Sequence, residues 1–240
     1  WRYGKHVFYP PPRSHAQLVA GNWDPRGPAG EPATWLASCA ARTEPRPTNI
    51  YAATKLAQEH LLAAWGAAHD APVSVLRLQN VYGPGQSLTN PYTGVVPFFA
   101  QAARERRPSE VFEDGQIVRD LVYIDDVADA LFAAIERPPI RARYLDIGSG
   151  TGTTILDLAT KIAAIFDAPV PAIVPKFRDG DVRAASCDIE AARRELDWNP
   201  KWKLDDGLAA LITWIGEQLE TSVPPSDHTA GPPHGVNPRT

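Results

Sequence analysis

Several features that would assign the chain to a special class of protein are absent from its sequence. The 240 residues contain no methionine and two cysteines, and the formal net charge is −4. Two cysteines far apart in sequence do not make a disulfide framework. A weakly acidic chain gives no reason to expect binding to nucleic acid or to a membrane surface. No apolar run approaches the ~20 residues of a membrane span, and the N-terminus has no signal-peptide pattern. These absences favour a globular protein located in the cytoplasm.

The first third of the chain divides into an irregular segment and a regular one. Residues 1–48 are rich in proline, glycine and tryptophan and have little periodicity, which predicts an irregular insert with one short helix near 14–20. Residues 50–69 are helix formers with an apolar stripe, and the apolar run 73–78 follows at once. A helix followed directly by a buried strand is half of a parallel α/β unit.

The remaining sequence predicts further alternation of helices and strands. Asp125 or Asp126 is expected to cap one of these helices. The segment 221–240 has no apolar pattern and is expected to be a disordered tail. The predicted helices cover 95–106, 127–136, 155–166, 186–198 and 204–219, and the predicted strands cover 119–123 and 144–147.

Tyr51 and Lys55 are four residues apart at the start of the helix 50–69, so their side chains lie on one face. A free phenol ionises near pH ~10, and a cation beside a phenol favours the phenolate. Such a pair can take a proton from a sugar or alcohol hydroxyl while a hydride leaves. Because tyrosine and lysine also occur at this spacing by chance, the pair gains its weight from the other motifs.

Several motifs follow the Tyr-Lys pair in a fixed order. They are Arg77-Leu-Gln-Asn-Val-Tyr-Gly-Pro84, the segment 114–127, Leu145-Asp-Ile-Gly-Ser-Gly150, and Arg178-Asp-Gly-Asp-Val-Arg183 with Trp198-Asn-Pro200. Together with Tyr51-x-x-x-Lys55 they resemble the NAD-dependent epimerase/dehydratase family, the nucleotide-sugar branch of the extended short-chain dehydrogenases, over about 50–219. The excursion 1–48 resembles the insert of dTDP-L-rhamnose 4-epimerase-like relatives, which can carry cysteine pairs.

The resemblance implies an α/β fold with a Rossmann-type doubly wound parallel sheet and a smaller α+β substrate-binding lobe. It implies that Tyr51 is the acid/base and that Lys55 holds the nicotinamide ribose and tunes the tyrosine. Both residues, with Gln79, would contact NAD. The implied reaction is epimerisation at C4 of a dTDP- or UDP-hexose through a keto intermediate, and a homodimer built through the helix that carries Tyr51 is expected.

The resemblance also implies three residues that bind the nucleotide-diphosphate sugar. Asn80 would hydrogen-bond the substrate near its sugar-phosphate, and Arg119 and Arg183 would hold the diphosphate, since guanidinium groups bind phosphate oxygens in pairs. Other interpretations stay open. Asn80 could shape a turn, and the two arginines could be partners in ion pairs.

The sequence departs from the family at its beginning. A dinucleotide-binding fold carries a glycine fingerprint in its first β-turn-α unit, and none precedes Tyr51. We therefore expect the chain to be part of a longer polypeptide, to lack the N-terminal cofactor half, and not to hold NAD tightly alone. The expected division is an epimerase/dehydratase domain over 1–220, with an insert at 1–48, Rossmann elements at 49–84 and 120–150, a substrate lobe at 85–119 and 151–220, and the tail.

Alternative functions stay open at this point. A nucleotide-sugar 4,6-dehydratase has the same Tyr-Lys pair, and a chain without the cofactor half could be a non-catalytic remnant. The segment 145–152 also resembles the first motif of S-adenosylmethionine methyltransferases, a remote alternative because too little chain follows it. Cys39 with His6 and His15 falls short of a four-ligand zinc site, so no metal is expected.

Overall fold

The computed structural model describes residues 1–87 and 94–221. The helices are α1 (His15–Val19), α2 (Ile50–His69), α3 (Val95–Arg104), α4 (Ile124–Glu136), α5 (Ile155–Ile165), α6 (Glu190–Leu196) and α7 (Leu204–Thr221). The strands are β1 (Arg2–Tyr3), β2 (His6–Val7), β3 (Ser74–Leu78), β4 (Asn80–Tyr82), β5 (Glu110–Phe112), β6 (Val118–Tyr123), β7 (Arg143–Ile147), β8 (Gly152–Thr154), β9 (Ala172–Val174) and β10 (Ala184–Ala185).

The strand pairing is mainly parallel, as an α/β fold requires. Strand β3 pairs with β7, β5 with β9, and β6 with both β4 and β10, all in parallel. The antiparallel pairs are β6 with β8 and β1 with β2. Parallel neighbours joined by helical crossovers confirm the predicted α/β class.

Two hydrophobic clusters hold the elements together. The first joins α3, α5 and α7 to β5 and β6, and its largest fully buried side chains include Phe99, Leu158, Ile162, Leu208 and Leu211. The second joins α4 and α6 to β6 and β7 through Val122, Ala130, Leu145, Ile147 and Leu196. Side chains buried to this extent contribute roughly 1.5–3 kcal/mol each through the hydrophobic effect.

Helix α2 has the predicted bounds because its end signals are strong. The Asn49 side chain accepts a hydrogen bond from the Ala52 N–H at 2.9 Å, which caps the N-terminus. At the other end Asp70 adopts a left-handed conformation with a φ of 48°, a common way to end a helix. By contrast with α3 and α5, α2 has one fully buried residue, Gly66.

The predicted cap of α4 is wrong. The helix begins at Ile124, with Tyr123 at the N-cap and no side-chain cap bond. Asp126 lies inside the first turn and is buried, and its carboxylate accepts hydrogen bonds from the Lys201 N–H at 2.8 Å and the Trp202 N–H at 3.1 Å. Asp125 also lies in the first turn, where its charge complements the positive end of the helix.

The other predicted elements are present with shifted ends. The largest shift is in the predicted helix 186–198, of which only Glu190–Leu196 is helical, because Ser38 of the insert pairs with Cys187. The short helix predicted near 14–20 is α1. The predicted tail lies outside the described residues, apart from its first residue, which ends α7.

Candidate active site

The Tyr-Lys pair stands on the exposed face of α2. Tyr51 lies in the first turn and is 72% exposed, and the Lys55 Nζ is 5.8 Å from the centroid of its ring. The Lys55 ammonium donates a hydrogen bond to the Gln58 Oε1 at 3.3 Å. The phenol and the ammonium are therefore adjacent, as their spacing predicts, and both are open to a ligand.

Gln79 and Asn80 lie where β3 ends and β4 begins. The Gln79 backbone N–H donates to the Ile147 carbonyl at 2.9 Å, which extends the pairing of β3 with β7. Asn80 is exposed and is the register partner of Leu121 on β6. The carboxyl ends of parallel strands are where open α/β sheets bind ligands. This position is compatible with the predicted contacts of both residues, which stay predictions.

Arg183 is the centre of a buried ion-pair network. Its Nε donates to Asp24 at 2.7 Å, its Nη1 to Glu113 at 3.0 Å and to Asp114 at 2.7 Å, and its Nη2 to Asp114 at 2.7 Å. The side chain is 4% exposed. Burial acts to lower the pKa of Arg183, but its hydrogen bonds to Asp114 and Asp24 outweigh burial and raise it above the ordinary value.

The Arg119 guanidinium is also hydrogen-bonded to other groups of the chain. Its Nη2 donates to the Asp181 Oδ1 at 2.8 Å, and its Nη1 donates to the carbonyls of Val118 and Val182 at 2.8 Å each. Burial lowers the pKa of Arg119, and the carboxylate of Asp181 opposes that effect. The observed partners of Arg119 and Arg183 match the ion-pair alternative, and phosphate binding by either stays a prediction.

Arg178, in the same motif, was not singled out by the sequence reasoning. It is exposed, its Cζ lies 5.7 Å from the centroid of the Phe112 ring, and within 1–87 and 94–221 it has no carboxylate partner. A guanidinium over an aromatic ring, with its donors available, suits a phosphate better than one surrounded by carboxylates. The motif contains two arginines, and only the fold distinguishes the exposed one from the buried one.

The insert contributes a second buried arginine, which the sequence did not indicate. The Arg13 Nη1 donates to Glu113 at 2.8 Å, and its Nη2 donates to the Asp181 carbonyl at 2.9 Å. The Glu113 Oε1 and the Arg13 Nε are buried without a hydrogen-bond partner in the described part of the chain. The insert is thus fastened to the turn after β5 and to the segment before β10.

A later part of the insert lies against β7 and the segment after β10. The Ser38 N–H donates to the Ser186 carbonyl at 2.8 Å, and the Asp188 N–H donates to the Ser38 carbonyl at 2.7 Å. The Ala40 N–H donates to the Oδ2 of Asp146 at 2.5 Å. Burial raises the pKa of Asp146 to about 6, although this hydrogen bond and the nearby Arg77 oppose the rise.

The glycine-rich loop after β7 is fixed by a buried carboxylate. Asp120 is fully buried and accepts hydrogen bonds from the Ser149 N–H at 2.7 Å and the Gly150 N–H at 3.1 Å. A Cβ at Gly148 would lie 2.7 Å from the Asp120 Oδ2, which explains the glycine there. With these N–H groups engaged, the loop is a structural turn. This geometry does not favour the methyltransferase alternative.

The described residues form neither a metal-binding cluster nor a membrane-spanning helix. Within 1–87 and 94–221, no group of three or more His, Cys, Asp and Glu side chains is arranged to hold a metal ion. In the same ranges no helix has the length and apolar character needed to cross a membrane. The described cysteines, Cys39 and Cys187, are both free, and burial raises the pKa of the Cys187 thiol well above its usual range.

Comparison with known proteins defines the class to which this fold and site correspond. The NAD dependent epimerase/dehydratase family matches residues 28–145, which include the Tyr-Lys pair, Gln79, Asn80 and Arg119. The chain belongs to this family.

One curated relative is markedly similar. The chain is 52% identical over 214 residues to a dTDP-L-rhamnose 4-epimerase of Burkholderia thailandensis, and the match covers 89% of this chain and 58% of that protein. It is also similar to the crystal structure of UDP-glucose 4-epimerase from Thermotoga maritima with UDP-glucose, with a TM-score of 0.66 and 32% identity, covering 74% of this chain and 59% of that one. MoeE5 in complex with UDP-glucose and NAD has a TM-score of 0.70 and 29% identity, over 78% of this chain and 62% of that one. The chain thus spans a little over half the length of these proteins.

Proposed function

We propose that this chain carries the acid/base pair and the substrate lobe of an NAD-dependent nucleotide-sugar epimerase acting at C4, with a dTDP-6-deoxyhexose as the first substrate to test. The single observation that carries the proposal is the adjacent, exposed pair of Tyr51 and Lys55 on α2. The 52% sequence identity of the chain to a dTDP-L-rhamnose 4-epimerase also supports the proposal. A UDP-hexose is the second substrate class.

In this proposal Tyr51 is the acid and base. Its phenolate takes the proton from the sugar C4 hydroxyl, and the resulting phenol later returns a proton to the C4 oxygen when the carbonyl carbon is reduced on its other face. Lys55 provides a fixed positive charge beside the phenolate, so the ionised form is stabilised before the substrate arrives. Because Tyr51 is exposed and in the first turn of α2, a sugar ring can approach it without displacing the core.

The residues present fit part of a nicotinamide dinucleotide. Among the described residues the Lys55 ammonium donates one hydrogen bond, to Gln58, which leaves two N–H groups for ribose hydroxyls. Gln79 lies at the carboxyl end of β3 and is the third proposed contact. When bound, NAD would supply the hydride acceptor at the sugar C4. The proposed holder of the ribose is Lys55, with Tyr51 facing the reacting carbon.

The substrate diphosphate is proposed to bind beside the segment that precedes β10. Arg178, on the Phe112 ring, offers the more available guanidinium, and Arg119 and Arg183 could contribute by exchanging a carboxylate for phosphate. Asn80, at the start of β4, is proposed to hydrogen-bond the sugar-phosphate. The exchange is costly for Arg183, because it would weaken its bonds to Asp24 and Asp114 and leave the buried Glu113 with Arg13 alone.

Product analysis tests the function directly. The full product of the natural gene is incubated with NAD and with dTDP-L-rhamnose, dTDP-glucose or a UDP-hexose, and the sugar nucleotides are identified by NMR. We expect inversion at C4 with the first of these. Loss of water from dTDP-glucose would replace the proposal with a 4,6-dehydratase, and no conversion of any substrate would favour a non-catalytic remnant.

Two further parts of the proposal concern assembly and location. Leu61, Leu62 and Trp65 are exposed apolar side chains on α2, which would suit a homodimer formed through this helix. Sedimentation of the gene product should therefore give twice the protomer mass, and a protomer mass would contradict this part. A cytoplasmic location is compatible with Cys39 and Cys187 being free thiols.

A further inference from the structure

One ion pair joins the helix of the proposed acid/base to the strand on which it lies. Arg77 on β3 donates from Nε to the Oε1 of Glu59 at 3.0 Å and from Nη2 to its Oε2 at 2.8 Å. The side chains are 23% and 17% exposed, so the pair is largely withdrawn from water. A two-bond contact of this kind fixes orientation as well as distance.

Glu59 occupies an unusual place on α2. The side chains of α2 that are withdrawn from solvent recur every three or four residues, which is the period of one helical face. Glu59 is the charged residue in a stripe that is otherwise apolar, and a carboxylate there is costly unless it is paired. The stripe consists of Ala52, Leu56, Glu59, Ala63 and Gly66.

A second close contact, between Gly66 of α2 and Val73 just before β3, is steric. A Cβ at Gly66 would lie 2.5 Å from the Val73 Cγ2, so the helix backbone approaches the strand very closely at this point. An apolar contact limits the separation of two elements but does not fix rotation about the helix axis. The contact between Glu59 and Arg77, seven residues or about 10 Å further along the helix, supplies that restraint.

The catalytic pair lies just beyond this restraint. Lys55 and Tyr51 are one and two turns N-terminal to Glu59, about 6 Å and 12 Å along the axis. Asn80 lies three residues after Arg77, about 10 Å along the strand direction. A rotation or slip of α2 about the ion pair would therefore move the phenol relative to the proposed substrate contact.

We propose that the ion pair of Glu59 and Arg77 is a positioning pair, which sets the rotation of α2 on β3 and so directs the acid/base toward the substrate. This inference rests on the proposed function. Arg77 is held in turn by its neighbours. Asp146 is its register partner on β7 and attracts it, and its Cζ lies 5.7 Å from the centroid of the Tyr144 ring.

The test compares single variants with a charge swap in the full product of the natural gene. Glu59→Gln and Arg77→Gln should each lower kcat about tenfold or more, since small displacements of reacting groups are costly, while KM for the nucleotide sugar changes less than about threefold. The double variant E59R/R77E should recover part of kcat, because the restored ion pair must offset repulsion between the carboxylate at position 77 and Asp146. Asp129→Asn, which breaks an exposed ion pair of α4 with Lys201, is the matched control and should leave kcat unchanged.

Amide hydrogen exchange gives a readout that does not need turnover. In both single variants the amides of α2 should exchange about tenfold faster, while those of α5 keep their rates and show that the fold is intact. The swap should restore protection in α2. Unchanged exchange in α2 of Glu59→Gln, or a swap as impaired as the single variants, would overturn the inference. An unsubstituted protein without turnover would count against the proposed function, and the exchange comparison would still decide the inference.

Discussion

The two sides of the candidate site are held in place by different means. On the substrate side, Arg183 has carboxylate partners in the insert and in the turn after β5, and its side chain is withdrawn from water. On the acid/base side, α2 has one fully buried residue, and Tyr51 projects into solvent. The substrate side is held by several ion pairs and by core packing. The acid/base side is held by the partly buried stripe of α2 and by the ion pair of Glu59 with Arg77.

This difference indicates which residues maintain the fold and which are available for chemistry. Substituting a side chain whose polar atoms are all bonded within the chain lowers the free energy of unfolding. Substituting an exposed side chain with few partners costs little stability, and such a side chain is available to a ligand. By this criterion Tyr51, Lys55 and Arg178 belong to the second class, and Arg183 belongs to the first.

The largest effect is expected at Tyr51. Tyr51→Phe removes the proposed proton acceptor and should reduce kcat by about 10³-fold or more, while the affinity for the nucleotide sugar and the free energy of unfolding stay nearly unchanged. Steady-state kinetics and isothermal titration check this in the full gene product. Retained turnover would defeat the assignment of Tyr51.

The next effect is on stability, at Arg183. Arg183→Gln leaves Asp24 and Asp114 without their guanidinium partner and the buried Glu113 with Arg13 alone, and the free energy of unfolding should fall by about 3 kcal/mol. Arg178→Gln is the control within the same motif and should lower it by less than about 1 kcal/mol. Urea denaturation measures both. Equal losses for the two variants would remove the distinction between a buried network and an exposed contact.

A similar contrast is expected between the core and the exposed face of α2. Leu208 is fully buried, and Leu208→Ala should cost about 2–5 kcal/mol through lost contacts and a cavity. Leu61 is 69% exposed, and Leu61→Ala should change the free energy of unfolding of the protomer by less than about 0.5 kcal/mol. Thermal or urea unfolding makes the comparison at a protein concentration low enough to keep the protein monomeric. A large loss of free energy of unfolding in Leu61→Ala would show that α2 packs more tightly than described.

The smallest effect is a dependence on pH at the contact between insert and sheet. The pKa of Asp146 is about 6 in the fold and near ~3.9 in an unfolded chain, so the native state binds more protons between these values. Its contribution to stability is therefore present at low pH and is lost as the pH rises through about 6, by roughly 2–3 kcal/mol.

Asp146→Asn should remove this part of the pH dependence. The difference in free energy of unfolding between pH 4 and pH 7 should shrink in the variant relative to the unsubstituted protein. Asp167, whose side chain is 99% exposed, provides the control substitution Asp167→Asn. An identical pH dependence in Asp146→Asn and the unsubstituted protein would contradict the raised pKa.

Local signals explain what could be predicted from the sequence. The bounds of α2 follow from Asn49, which caps it, and from the turn at Asp70 before Pro72. Tyr51 and Lys55 are adjacent because helical spacing makes them so. In the same way, the alternation of apolar runs with helix formers was enough to predict an α/β fold with parallel strands.

Contacts distant in sequence explain what could not be predicted. Asp126 accepts hydrogen bonds from Lys201 and Trp202, about 75 residues away, so a local capping rule assigned it wrongly. Arg183 pairs with Asp24 across 159 residues. The proline-rich insert has no periodicity from which its docking could be inferred. Nothing local distinguishes a buried arginine from an exposed one in the same motif.

The most direct test of the central claim follows one hydrogen atom. The full gene product is supplied with NAD and with dTDP-L-rhamnose deuterated at C4, and the product is examined by NMR. Removal and return of a hydride at the same carbon predict a product inverted at C4 that retains its deuterium. A product with unchanged C4 configuration, or with the deuterium exchanged for solvent hydrogen, would contradict the account.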